Sequence, residues 1–257
     1  MLYGIMLAYY EDYHESAIRE FDILLKKIDS NSKLIIVSNN ESLNSKYILG
    51  DNKNWEFSGW DKALEEISSI KDTDSVIFAN DTFMYNNPYG KLKAFFIEKV
   101  FKYTYLKNHS KPQVTLAGST SGLESKYSIC NLQADYWVST YLFLISGKLI
   151  NKLGKKLSID QDTLDKLVIL ENKKFIFDDS VSLNMQEHLQ EWLYPQSESK
   201  SSWYKANEVS DEVKIKKVKT ILNEKYLSAF CCSNNGEIID INPRKLFFRI
   251  FNKSYCA

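Results

Sequence analysis

The chain has 257 residues, 44% hydrophobic and 26% charged, with only nine glycines and four prolines, so apolar burial offsets chain entropy along its length. That excludes extended disorder, a collagen-like repeat and a disulfide-stapled miniature fold. Lys plus Arg and Asp plus Glu both number 33, and a formal charge of zero removes the global basic footprint of a nucleic-acid binder.

Residues 4–8 read as a buried strand, followed by a helix over 13–28 with Ile18, Phe21, Leu24, Leu25 and Ile28 on one stripe. Asp12 and Glu15 have the spacing of a capping box. Residues 34–37 form a second strand ending in Ser38-Asn39-Asn40, and residues 76–79 another ending in Asn80-Asp81. Between them Ser58-x-x-Asp61 is expected to open a helix whose apolar face carries Trp60, Ala63, Leu64, Ile67 and Ile70. An aromatic and basic helix covers 91–107, a strand over 113–117 leads into a turn at 118–122, and 136–145 is strongly β-prone.

Beyond Ser146 the pattern is mainly helical. Ser158-x-x-Gln161 reads as a cap before a stripe of Leu164, Leu167 and Val168, a strand interrupts at 175–177, and a helix over 182–194 stops at Pro195. Residues 196–202 read as a loop or lid. This alternation predicts an α/β fold, a mostly parallel central sheet flanked by helices, over residues 1–195, with a helical C-terminal extension over 196–257. Two strands ending in polar residues place a ligand site at the carboxyl edge of that sheet.

The three histidines, His14, His109 and His188, and the four cysteines lack metal-ligand spacing, which disfavours zinc. A Walker loop and a Gly-x-Gly-x-x-Gly turn after the first strand are both missing, which removes P-loop and dinucleotide chemistry. With neither a basic leader nor an apolar run of spanning length, the expected location is cytoplasmic.

The stretch carrying Asn52, Asn54, Phe57, Gly59 and Trp60, followed by the strand ending in Asn80-Asp81, resembles bacterial glycosyltransferases of the GT-A fold, especially the rhamnosyltransferase-like enzymes of O-antigen, rhamnan and capsule assembly. Residues 131–137, Asn131-Leu132-Gln133-Ala134-Asp135-Tyr136-Trp137, are similar to a His-Leu-Gln-Ser-Tyr-Phe region of the same enzymes, with Asn131 in place of the His. The resemblance covers residues 1–195. It implies a GT-A-like (Rossmann-like) sheet and transfer of a hexosyl or deoxyhexosyl unit, such as rhamnose, from a nucleotide-sugar to a growing surface glycan, with inversion. It also implies a lipid-linked or oligosaccharide acceptor and other polysaccharide-assembly enzymes as partners.

A strand-end carboxylate can hold a divalent cation, Mn²⁺ or Mg²⁺, that bridges phosphate oxygens and neutralises the leaving diphosphate, and Asp81 is placed for that role. Where the family has two aspartates separated by one residue, this chain has Asn80-Asp81, which a turn cap also explains. Tyr9, Tyr10 and Asn39 follow strands where a nucleobase and ribose would be contacted, while Asn52, Asn54 and Asn80 suit donor hydroxyls or, equally, Asx turns. Trp55 and Trp60 are candidates to frame a sugar, Trp60 fitting the core as well.

The general base expected from the resemblance is Glu187, opening Glu187-His188-Leu189-Gln190-Glu191-Trp192; a solvated face shared by Glu187 and Glu191 is the competing reading. His188, Asp135, Asp178 and Asp179 are the other candidates. Residues 242–253 carry four positive charges, no acid and three Phe, which suits either peripheral contact with an anionic membrane or a terminal helix docked on the body. The rival from another class is a non-catalytic carbohydrate-binding or scaffold module of a polysaccharide-assembly complex.

Overall fold

The computed structural model describes residues 1–43, 46–85, 89–195 and 202–242. Strand β1 (Leu2–Ala8) is apolar on both faces, as a strand between helical layers must be. It lies between β2 (Lys33–Ser38) and β4 (Ser75–Asn80), parallel to both. The helices that return the chain are α1 (His14–Ile28), on one face of the sheet, and α2 (Glu56–Glu65), on the other. The short β3 (Ile48–Leu49) extends the sheet beyond β2. After α3 (Lys91–Ser110) comes a long hairpin of β5 (Thr115–Ile129) and β6 (Leu132–Ser146), β6 running antiparallel to β4. Its turn is Cys130-Asn131, both at positive φ (53° and 61°), the handedness a two-residue hairpin needs to match strand twist.

With β9 (Glu237–Asp240) at its edge, the central sheet has, among the described residues, seven strands in the order β3-β2-β1-β4-β6-β5-β9, mostly parallel and flanked by helices. A separate antiparallel ribbon joins β7 (Val168–Glu171) to β8 (Lys174–Phe177). The remaining helices are α4 (Gly147–Lys152), α5 (Gln161–Leu167), α6 (Leu183–Leu193) and α7 (Asp211–Ser233).

Two cores face away from the sheet. Trp60 of α2 packs edge-on against Phe78 and Phe143 of β4 and β6, at 5.8 and 5.3 Å between centroids. On the opposite face Phe21 of α1 and Phe101 of α3 close over Met6 and Ile77. A third cluster joins the outer half of the β5/β6 hairpin to α6 and α7 through Trp137, Leu189 and Trp203.

Several expectations change. The strand over 113–117 does not turn at 118–122 but runs on through those residues as β5, with a register shift between Gly118 and Thr120. Gly118 marks close packing there: a Cβ would meet Val138 Cγ1 at 2.4 Å. Neither expected N-cap motif forms: α1 starts after Tyr13 and α2 after Trp55, both without a side-chain cap. Asp61 instead accepts from the backbone N–H groups of Leu157 (2.6 Å) and Ser158 (3.3 Å), tying α2 to the segment before α5. Asp160, not Ser158, caps α5 through Thr163 N at 2.9 Å. Val168 belongs to β7 rather than to the preceding helical stripe.

Division at residue 195 does not separate two packing units. Residues 211–240 supply α7, whose Leu227 and Cys231 lie in the Trp60 core, and β9 (Glu237–Asp240), which pairs parallel to β5 in the main sheet. An extended strand thus replaces part of the expected helical extension. The expected loop over 196–202 lies, except for Ser202, outside the described residues, and so does the basic stretch from residue 243 onward. No helix among the described residues is long and apolar enough to cross a membrane.

Candidate functional site

A cleft of about 800 Å³ opens at the carboxyl ends of β1, β2 and β4, within the size of small-molecule sites, and is walled on the far side by α6, α7 and residues 203–209. Leu7, Tyr9, Asn39, Asn80 and Asp81 reach it because sheet register brings these strand ends level: Ala8 pairs with Ser38, and Leu7 with Asn80.

Asp81 is 1% exposed and its Oδ2 accepts the backbone N–H groups of Tyr9 (2.6 Å) and Tyr10 (2.8 Å). Burial pushes its carboxyl above the usual range, against the pull of those two N–H donors. The rings that this turn presents are 40% and 41% exposed, at the mouth of the cleft. Tyr10 stacks on Tyr13, and Tyr13 lies tilted against Tyr85, with centroid spacings of 5.1 and 4.1 Å.

The amides on this rim are committed as well. Asn39 Nδ2 donates to Trp55 O at 2.6 Å, and its Oδ1 is buried between two glycines; a Cβ on Gly50 would come within 2.0 Å of that oxygen and one on Gly59 within 3.0 Å. Gly50 and Gly59 thus leave room for the Asn39 amide, which holds the carbonyl of Trp55, a non-glycine residue at φ 47° directly before α2 that lines the cleft. Asn80 receives Thr82 Oγ1 at 2.7 Å and donates to Glu56 Oε1 at 3.4 Å. Asn52 lines the cleft at φ 53°, whereas Asn54 lies outside its lining.

Glu187 is exposed on α6 and also lies outside the lining, because the face of α6 turned to the cleft carries His188, Leu189 and Trp192. His188 is held below the usual imidazole range by burial and by the Lys225 ammonium. Asp135 pairs with Lys126 at 3.6 Å, while Asp178 and Asp179 are exposed away from the cleft.

Two cleft carboxylates went unassigned in the sequence. Glu56, in the first turn of α2, has its Oε2 buried with no hydrogen-bond partner among the described residues. Its position next to Trp55, inside the block that drew attention, was the available signal. Glu224 on α7 bonds Lys225 Nζ at 2.5 Å and the N–H and Oγ1 of Thr140 at 2.9 Å each. Burial opposes its charge, but the ammonium and the two Thr140 donors outweigh that and hold it below the usual glutamate range. Lys225 in turn lies 3.7 Å from the Trp137 ring centroid.

Lys205, Lys216 and Lys217 also line the cleft, and none has a carboxylate partner within ion-pair distance among the described residues. Lys217 sits among three indoles, 5.2 Å from Trp55, 6.0 Å from Trp192 and 5.8 Å from Trp203. Trp192 and Trp203 stack at 6.1 Å, and Trp203 N donates to Trp192 O at 2.9 Å, which fastens residues 203–209 to the end of α6.

A cation held at Asp81 does not fit this donor set. One carboxylate oxygen is occupied by two N–H groups, and no group of three His, Cys, Asp or Glu side chains that could hold a metal ion converges among the described residues. The positive charge that lines the cleft lies instead on α7 and on residues 203–209. No known family model matches the chain, and neither does any curated protein.

Proposed function

We propose that the chain is a nucleotide-sugar-dependent glycosyltransferase with a GT-A-like sheet, acting on a surface polysaccharide such as O-antigen. The observation that carries this reading is one cleft at the ends of parallel strands in which three lysines without a carboxylate partner among the described residues meet exposed tyrosine rings and half-buried or buried tryptophan rings. A diphosphate calls for the former; a nucleobase and a sugar ring call for the latter. The resemblance of residues 52–60 and 80–81 to rhamnosyltransferase-like enzymes points to the same chemistry.

On this reading Lys205, Lys216 and Lys217 neutralise the departing diphosphate without a resident metal. Glu56 takes the place first given to Glu187: its unpartnered Oε2 accepts the proton of the acceptor hydroxyl as the glycosidic bond forms and the bond to diphosphate breaks. Asp81 acts as a positioning residue, through the backbone of Tyr9 and Tyr10.

A thermal-shift panel of UDP-, dTDP-, GDP- and CMP-sugars, with and without Mn²⁺ or Mg²⁺, tests the proposal, since a ligand of the native state raises the midpoint. One donor is expected to raise it without added metal and to release nucleoside diphosphate on incubation. Stabilisation by glycan alone, with no nucleotide-sugar consumed, would leave a carbohydrate-binding module.

A further inference from the structure

Helix α3 is apolar on two opposite faces. Its inner face, Ile97, Val100, Phe101 and Tyr105, is buried against the sheet and α1. Its outer face carries Leu92, Phe95, Tyr103 and Leu106, which are 70%, 50%, 62% and 53% exposed. At 3.6 residues per turn these four fall on one stripe. Ile23 of α1, 41% exposed, is another large apolar side chain left in solvent on the helix packed beside it. Solvated helix faces are ordinarily polar, so an exposed stripe of this kind marks a contact surface.

The charge around the stripe says what covers it. The helix has five lysines and one glutamate. Lys91 and Lys102 flank the stripe on the α1 side, where Lys102 Nζ reaches Lys27 O at 3.3 Å. Lys93 and Lys107 flank the other side, Lys93 over the Tyr141 ring and Lys107 on Glu237. Lys99 lies within it, its ammonium 5.1 Å from the Phe95 centroid. Apolar side chains edged by long cationic ones match an anionic bilayer interface, the rings entering the acyl boundary while the ammonium groups stay with the headgroups. A second copy of the chain, or its own residues 243–253 with four positive charges and no acid, would bring like charge against like.

We propose that the outer face of α3 docks on an anionic lipid surface. This does not depend on the sugar-transfer reading. It adds to it, because α3 is entered from the loop that follows Asp81, so a membrane-borne acceptor would meet the protein beside the cleft.

Flotation of the full chain with phosphatidylcholine vesicles, with and without phosphatidylglycerol, tests it. The protein is expected to float with the anionic vesicles only, and less at high salt. A Leu92→Ser/Phe95→Ser/Leu106→Ser variant, altered only at exposed positions and checked for unchanged circular dichroism, should partition at least about tenfold less. Three results would overturn the inference: no flotation of the wild type, flotation of the variant equal to wild type, or a variant that turns a dimer into a monomer at unchanged flotation. None of these bears on donor-sugar turnover, which is read separately.

Discussion

The two walls of the cleft are built on different terms. On the strand-end wall nearly every polar group is already satisfied by the protein: Asp81 by two N–H groups, Asn39 by Trp55, Asn80 by Thr82 and Glu56. On the α7 wall three ammonium groups face the cleft without carboxylate partners among the described residues, one of them ringed by tryptophans. Polar residues at strand ends thus shape the site, and the charge available to a ligand arrives from α7 and the segment before it, more than a hundred residues later in the chain. Asn39 Oδ1 also lacks a partner among the described residues but is enclosed by Gly50 and Gly59; Glu56 is the exception that carries a base, a strand-end-side carboxylate with one oxygen to spare.

That exception gives the largest expected effect. Glu56→Gln removes the only group assigned to proton transfer while keeping the shape, so turnover should fall by about 10²–10⁴-fold. The thermal midpoint and donor affinity should hardly move. Wild-type turnover in this variant would return the base to another carboxylate, and with it the view that this wall contributes scaffolding only.

Next comes the pair that roots the α7 wall. Glu224 and Lys225 are 19% and 5% exposed at their side chains, and Glu224→Gln leaves an ammonium uncompensated, for an expected loss of about 3–5 kcal/mol. The sign of the pH dependence follows from the depressed Glu224 carboxyl. Stability from this group is complete above the unfolded glutamate value, about 4.3, and disappears as pH falls through the lower folded value. Denaturant melts of wild type and variant should therefore differ most at neutral pH and converge in acid. An unchanged gap at low pH would mean the pair does not hold the wall.

How much of this was legible follows the same division. The strands β1, β2 and β4 announce themselves as continuous apolar runs, β1 followed by Tyr9-Tyr10, β2 by Asn39-Asn40 and β4 ending in Asn80 before Asp81, so the rim at Tyr9, Asn39 and Asp81 could be read locally. Glu187 lies one helical position off the cleft-facing stripe: the i, i+4 pairing of Glu187 and Glu191 says that they share a face, and only packing against the β5/β6 hairpin says that it is His188 and Trp192 that meet the cleft. Lys217 and Glu224 carry no local signal at all, since on a helix rich in lysine and glutamate nothing distinguishes a solvated charge from a buried or cleft-facing one. The turn expected at 118–122 failed because Gly118 there relieves crowding between strands, a reason invisible without the neighbouring strand.

Asp81 offers a sharper version of the contrast. If its task is to hold the backbone of residues 9 and 10, Asp81→Asn keeps an acceptor oxygen in place and should retain turnover within about tenfold. Asp81→Ala leaves two N–H groups unpaired, at about 1–3 kcal/mol each, and should lose about a hundredfold. The raised Asp81 carboxyl makes its ionised form a cost that grows as pH climbs from the ordinary carboxylate range through the folded value. The Asn variant should then be no less stable than wild type at neutral pH. Equal loss in Asn and Ala variants, with activity dependent on added Mn²⁺, would instead make the carboxylate a metal ligand.

The smallest effect belongs to a single cation of the opposite wall. Lys217→Met keeps the apolar stem among Trp55, Trp192 and Trp203 and removes only the ammonium, so the fold should be indifferent to it. Lys205 and Lys216 remain to share the anion, which limits the expected loss of donor affinity to about tenfold, the size of one charge-assisted contact. The diagnostic is which ligands feel it: nucleoside diphosphate and nucleotide-sugar should weaken together in competition assays, and free glycan should not. A variant that weakens glycan alone would turn the tryptophan ring around Lys217 into a sugar platform and move the diphosphate toward Lys205.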